Sequence, residues 1–140
     1  MAERRWEHFS HSADIGVRGI GPTKAAAFEE AAIALTSVIT DADSVAPAQS
    51  ITVHCADPDD DILLLDWLNA LVFEMATRRM LFGRFGVEIE GAKLSGTAAG
   101  ETVDPARHRP AVEVKGATFT ELLVRQEADG QWVAQCVVDV

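Results

Sequence analysis

The stretch His11-Ser-Ala-Asp14-Ile-Gly16-Val-Arg-Gly-Ile20 sets a histidine and an aspartate three residues apart among small residues, directly before an alternating run. Ile15 to Ile20 alternates as a half-buried strand does. Asp14 therefore stands where a loop enters a sheet, held on a rigid element and still facing solvent. A second acid, Asp139, is the penultimate residue of the sequence. It follows the apolar run Trp132-Val-Ala-Gln-Cys-Val-Val138, which reads as another strand. If the first and last strands lie together, Asp14 and Asp139, with Val140 beside them, form an oxygen-rich pocket for a hard divalent cation. The simpler alternative is that Asp14 caps a turn and Asp139 is merely solvated.

Working outward, a chain of 140 residues suits one domain, 1–140, able to bury a core without disulfide or metal staples. With 12 basic against 22 acidic residues, the net charge of −10 disfavours direct nucleic-acid binding, which needs clustered lysine and arginine to displace counterions. An acidic surface can instead meet a basic partner protein. Cys55 and Cys136 lie in separate apolar strands and read as buried free thiols, not as zinc ligands. The N-terminus lacks the apolar core of a signal peptide, and no segment is long enough to span a membrane. The expectation is a cytoplasmic protein.

Trp6 to Phe9 reads as a short strand. Thr23 is an N-cap for a helix to about Ile39, with Phe28, Ala31, Ala32, Leu35, Val38 and Ile39 facing the core and Lys24, Glu29 and Glu30 facing outward. Ser50 to Cys55 alternates as a strand, with His54 on its solvent side. Asp57, Asp59 and Asp61 resemble the start of a calcium loop, but the positions that need glycine and glutamate hold Ile62 and Leu68. These acids are better read as a helix start, with Asp57 as N-cap and Pro58 in the first helical position. The helix to about Arg79 is apolar nearly all round and forms the main core element; Asp66 and Asn69 lie on its solvated stripe.

Phe85–Glu90 and Lys93–Ala98 read as paired strands, and Gly100–Pro110 as a loop rich in charge and proline. Glu113 to Arg125 reads as one long strand bent near Gly116. Asp129-Gly130 turns it into a hairpin with Gln131–Val138. Lys115 is either a strand-edge lysine or a positioned cation. The pattern of elements indicates an α+β domain, with two helices on one face of a mixed sheet. No P-loop, dinucleotide fingerprint or Ser-His-Asp order is present. From the residues alone, a metal-dependent phosphoester hydrolase using His11 and His108, and a general protein-binding chaperone, both remain open.

The set His11–Gly16, Leu63-Leu-Leu-Asp-Trp67-Leu-Asn69, Gly100-Glu101 with Asp104 and His108, Glu113-Val-Lys115, and the ending Val138-Asp139-Val140 resembles the archease family over nearly the whole chain. Two positions depart from the family pattern: Ser12 replaces threonine, and the segment after Lys115 lacks the family's aromatic–histidine pair. The resemblance implies a small cytoplasmic α+β protein that activates an RtcB-type tRNA-splicing ligase. That ligase joins RNA ends using GTP and manganese; the activator promotes guanylylation of the ligase histidine and multiple turnover without catalysis of its own. The implied metal ligands are Asp14, Asp139 and Val140, with calcium as the ion and manganese as the alternative. The implied functional lysine is Lys115. His11, Glu101 and His108 match motif positions too and, like Lys115, are expected to face the partner, with their individual roles unassigned. GTP is implied through the ligase only, with no nucleic-acid or membrane contact.

Overall fold

The structure is a computed structural model that describes residues 3–140. In chain order it comprises β1 Arg5–His11, β2 Asp14–Gly21, α1 Lys24–Ile39, β3 Gln49–Ala56, α2 Asp60–Arg78, β4 Met80–Glu90, β5 Lys93–Thr102, α3 Pro105–His108, β6 Gly116–Ala117, β7 Leu123–Gln126 and β8 Trp132–Asp139. One sheet runs β1-β2-β8-β6, with β7 also paired to β8; the other runs β3-β5-β4. The α+β class read from the sequence holds. The single mixed sheet does not: every pairing is antiparallel, and the strands divide into two sheets.

Helix α1 begins at Thr23, whose hydroxyl accepts the Ala26 N–H at 3.0 Å. Its alanine-rich face lets the helix backbone settle onto β2. A Cβ added at Gly19 would stand 2.1 Å from the Ala27 carbonyl oxygen and 2.3 Å from the Ala31 nitrogen, so only glycine fits there. Helix α2 buries Leu63, Leu64, Trp67, Leu68 and Leu71 completely. The Trp67 indole N–H donates to the Phe28 carbonyl at 3.1 Å, and its ring fills the space left by Gly96 on β5. A buried indole with its one donor satisfied stabilises the core without a desolvation penalty. Both long helices touch both sheets.

Several local readings change. The N-cap of α2 is Asp59, not Asp57. The Asp57 N–H is spent on the Ala92 carbonyl at 2.9 Å, which carries the β3–β5 ladder one residue further. Asp59 Oδ1 then receives the Asp61 and Ile62 N–H groups. Glu29 and Glu30 do not face open solvent, because α1 is flanked by β4 as well as β2. Glu29 accepts the Val87 N–H at 2.8 Å, and burial pushes the Glu30 carboxyl up against the opposing pull of Arg4.

The β4–β5 hairpin turns where its sequence suggested but is longer at its open end, β4 starting at Met80 and β5 running to Thr102, and α3 forms a single turn within the charged loop. The long strand expected over Glu113–Arg125 is broken. Only Gly116 and Ala117 pair with β8 in register before the Thr118 N–H and hydroxyl both bind the Val137 carbonyl. Glu121 then adopts φ 54° and turns the chain into β7. Cys136 is buried as expected, whereas Cys55 is only half-buried.

Gly19→Ala is expected to lower stability by about 2–3 kcal/mol, since the clash is with helix backbone that cannot rotate away. Thermal unfolding followed by circular dichroism should show the midpoint fall by roughly 5–12 °C.

Candidate functional site

β1 and β2 are joined by the two-residue turn Ser12-Ala13, so that His11 pairs directly with Asp14. Ser12 takes the left-handed φ of 52° at the first turn position, as turns matched to strand twist require. The β2–β8 ladder runs as far as Ile15 opposite Val138, and one further step sets Asp14 beside Asp139. On the other side of β8, Gly116 pairs with Asp139, and the Lys115 N–H donates to the Asp139 carbonyl at 2.8 Å. Paired residues project to the same face of a sheet. His11, Asp14, Asp139 and Gly116 therefore form a row across four strands. Gly19 faces α1, so by alternation Asp14 points to the opposite side, away from the helix.

Asp14 is half-buried, and its Oδ1 lies 3.4 Å from the Val140 N–H. Asp139 and Lys115 are exposed, and neither side chain has an ion-pair or hydrogen-bond partner among the described residues. Three of the anticipated elements thus meet: the acid of the first hairpin, the acid ending the last strand, and the backbone of Lys115. Among the described residues no group of three or more His, Cys, Asp or Glu side chains is placed to hold a metal ion. A cation here would therefore draw on two carboxylates and on the main-chain oxygen of Val140. All are hard oxygen donors, a set suited to calcium or manganese.

Glu101 and His108 lie elsewhere, at the end of β5 and in α3. The His108 Nδ1 accepts the Asp104 N–H at 2.8 Å, which places the ring proton on Nε2; from there it is donated to Glu101 Oε2 at 2.9 Å. Glu101 also receives the Ala46 N–H at 2.7 Å and the Arg107 guanidinium at 2.6 Å. The Arg107 guanidinium, with the Ala46 and His108 donors, holds its carboxyl well below the usual range, at about 2. His108 is only 3% exposed. The expectation that it faces a partner is therefore corrected: its imidazole is turned inward and both ring nitrogens are in use. Together these residues fasten the one-turn helix to β5.

Asn69 was read as part of a solvated stripe. Its Oδ1 instead accepts the Ala117 N–H at 2.8 Å, and its Nδ2 donates to the Ala117 carbonyl at 3.3 Å. A side-chain amide thus replaces the missing neighbouring strand on the outer edge of β6, right after Lys115. The sequence signals for it are an amide on a mostly apolar helix and its place at the end of the Leu63–Asn69 motif. Asp66 and His54 are exposed, as read.

Fold and site define a small acidic α+β domain whose unpaired carboxylates gather where its first hairpin meets its last strand. Residues 6–140 match the profile described as the archease protein family (MTH1598/TM1083). Protein archease of Pyrococcus furiosus is 38% identical over 141 residues, covering 98% of this chain and 99% of that protein. Its counterpart in Methanopyrus kandleri is 40% identical over 139 residues, covering 96% and 99%. The solution structure of Methanobacterium thermoautotrophicum protein 1598 superimposes with a TM-score of 0.85 at 35% identity, covering 96% of this chain and 98% of that one. The chain belongs to the archease family.

Two outcomes follow from the geometry. Asn69→Ala should cost about 1–3 kcal/mol by stranding the Ala117 main chain, and amide exchange at Ala117 should accelerate more than at Val138. A carboxyl held lower in the folded chain than in the unfolded one favours folding above its ordinary value. That contribution is lost as pH falls from 4.5 through about 2. Urea unfolding of Glu101→Gln should therefore show a shallower loss of stability between those pH values than the parent chain.

Proposed function

We propose that this chain activates an RtcB-type RNA ligase and is not itself a catalyst. The observation carrying this reading is the placement of Asp14 beside Asp139 at a sheet end where Asp139 and Lys115 are exposed. Membership of the archease family supports it, since the same residues carry the family resemblance. In this reading Asp14 and Asp139 hold a divalent cation, calcium with manganese as the alternative, through carboxylate oxygens, and Val140 contributes a carbonyl or carboxylate oxygen. Bound there, the ion supplies positive charge toward phosphate oxygens.

The chain's own residues do the rest. The two acids repel each other until a cation relieves them, so the site is poised to bind one. Lys115 presents a flexible point charge suited to a phosphate. Its main chain is fixed by Asp139 on one side, and Asn69 holds the strand that follows it. An acidic end carrying these groups enters a basic, nucleotide-binding cleft of the ligase and promotes guanylylation of its histidine and repeated turnover. GTP is bound by the ligase, and the net charge of −10 gives no footing for direct RNA binding. Among the described residues no helix is long and apolar enough to cross a membrane.

The hydrolase reading is weakened because His108, one of its two histidines, is consumed by Glu101 and Asp104. A guanylylation assay tests the proposal. Asp14→Ala and Asp139→Ala should each reduce stimulation of the ligase at least about tenfold, the effect of losing roughly 1.4 kcal/mol or more. The exposed control Asp66→Asn should leave it unchanged. Calcium should raise the thermal midpoint of the parent chain and not of Asp139→Ala. Undiminished stimulation by both alanine variants overturns the reading, as does equal loss in the control, which is what a nonspecific acidic chaperone requires.

A further inference from the structure

A second surface lies beside the candidate centre and is used by nothing described so far. Between the C-terminal half of α2 and the segment that leads to Lys115 runs an open groove of about 590 Å³. Val72, Met75 and Ala76 line it from the helix, and Val112 and Val114 from the opposite side. Ala76 is exposed, and Val112 is 37% exposed although it is a β-branched apolar residue. Phe73, also on α2 but outside the lining of the groove, is 61% exposed.

The far wall of the groove is unusual in its backbone. From Pro110 to Lys115 the chain is ordered without joining a sheet, tied by the Ala111 N–H to the Ile39 carbonyl and by the Lys115 N–H to the Asp139 carbonyl. Between those ties, the N–H groups of Val112, Glu113 and Val114 have no partner among the described residues. An ordered segment with free donors is the kind of edge to which an incoming strand adds itself. Two charges border the groove, Arg79 and Glu113, and neither forms an ion pair among the described residues. In a chain of net charge −10, Arg79 is a cation left uncompensated.

We infer that this groove docks an extended segment of the partner ligase, with aliphatic residues at alternate positions, an acid set to reach Arg79 and a base to reach Glu113. Its main chain pairs with Val112–Val114, and its side chains enter the pocket under Met75. The inference rests on the activator reading above and deepens it. The groove wall leads through Val114 directly into Lys115 and Asp139, so a segment seated here delivers the rest of the partner to the carboxylate pair. Docking and activation are then divided: the groove sets affinity, and the carboxylates set what happens once bound.

That division is measurable. The purified full-length chain is titrated against an RtcB-type ligase, with direct binding read by calorimetry and guanylylation read in parallel. Ala76→Glu, at an exposed helix position, and Val112→Asp, on the opposite wall, place an acid in the groove without opening the core. Each should weaken binding about tenfold or more and raise the half-saturating concentration equally, with the plateau of stimulation retained. Asp139→Ala should do the reverse, lowering the plateau with binding largely kept. An unchanged thermal midpoint shows that the groove variants are folded. Unaltered binding by both folded groove variants, alongside stimulation by the parent chain, overturns the groove and leaves the activator reading standing. Failure of the parent chain to bind or stimulate the ligase overturns both.

Discussion

Strand β8 hydrogen-bonds to β2 along one edge and to β6 and β7 along the other, and the whole arrangement depends on that insertion. Val133 to Val138 are all buried, so the last strand is a central one. A central strand must satisfy its backbone on both sides: the hairpin partner β7, with β6, serves one edge, and the other is served by β2 from the far end of the chain. Its register is set by the inward faces of Val138, Cys136 and Ala134 against α1. A slip of one residue would set Val137, Gln135 and Val133 against α1 instead, a polar amide and bulkier side chains where Cys136 and Ala134 fit. The same register that secures the core therefore sets Asp139 beside Asp14, and stability and site share one constraint.

The two polar clusters of the molecule differ in how far they are satisfied. Glu101, His108, Arg107 and Asp104 answer one another's hydrogen-bonding needs, and the His108 ring can stay buried because both nitrogens are bonded. The cluster is structural. Asp14 and Asp139 share a row in which, among the described residues, the Asp14 carboxylate accepts only the Val140 N–H, and Asp139 is left to solvent. Neighbouring carboxylates without a counter-charge cost energy that a purely structural end of a sheet has no reason to bear. That contrast, more than the mere presence of acids and a histidine, separates the candidate centre from the structural cluster.

Much of the fold was legible because its signals are local. Thr23 as N-cap, the alanine-rich face of α1, the apolar α2 and the Asp129-Gly130 turn each announce themselves within a few residues, and the structure shows each of them. The misread elements share a different trait. Asp57 and Asp59 are equally good caps until a carbonyl from the next hairpin claims the Asp57 N–H. Glu29 and Glu30 look outward on a helical wheel, but β4 arrives from sixty residues further on and covers that side. The break after Ala117 follows from hydrogen bonds to Val137 and to Asn69, both remote in sequence.

Taken alone, the sequence determined the α+β class, the two long helices, the acidic character and the pair of aspartates worth watching, because composition, periodicity and caps act over short range. Family membership could also be read from it, since the motifs occur in order along the chain. Only the tertiary structure decided that all pairing is antiparallel in two sheets, that His108 is turned inward, that Asn69 braces the strand after Lys115, and that an open groove leads to the carboxylates. Each of those depends on which distant backbone group satisfies which donor, and that competition is resolved only when the last strand takes its place.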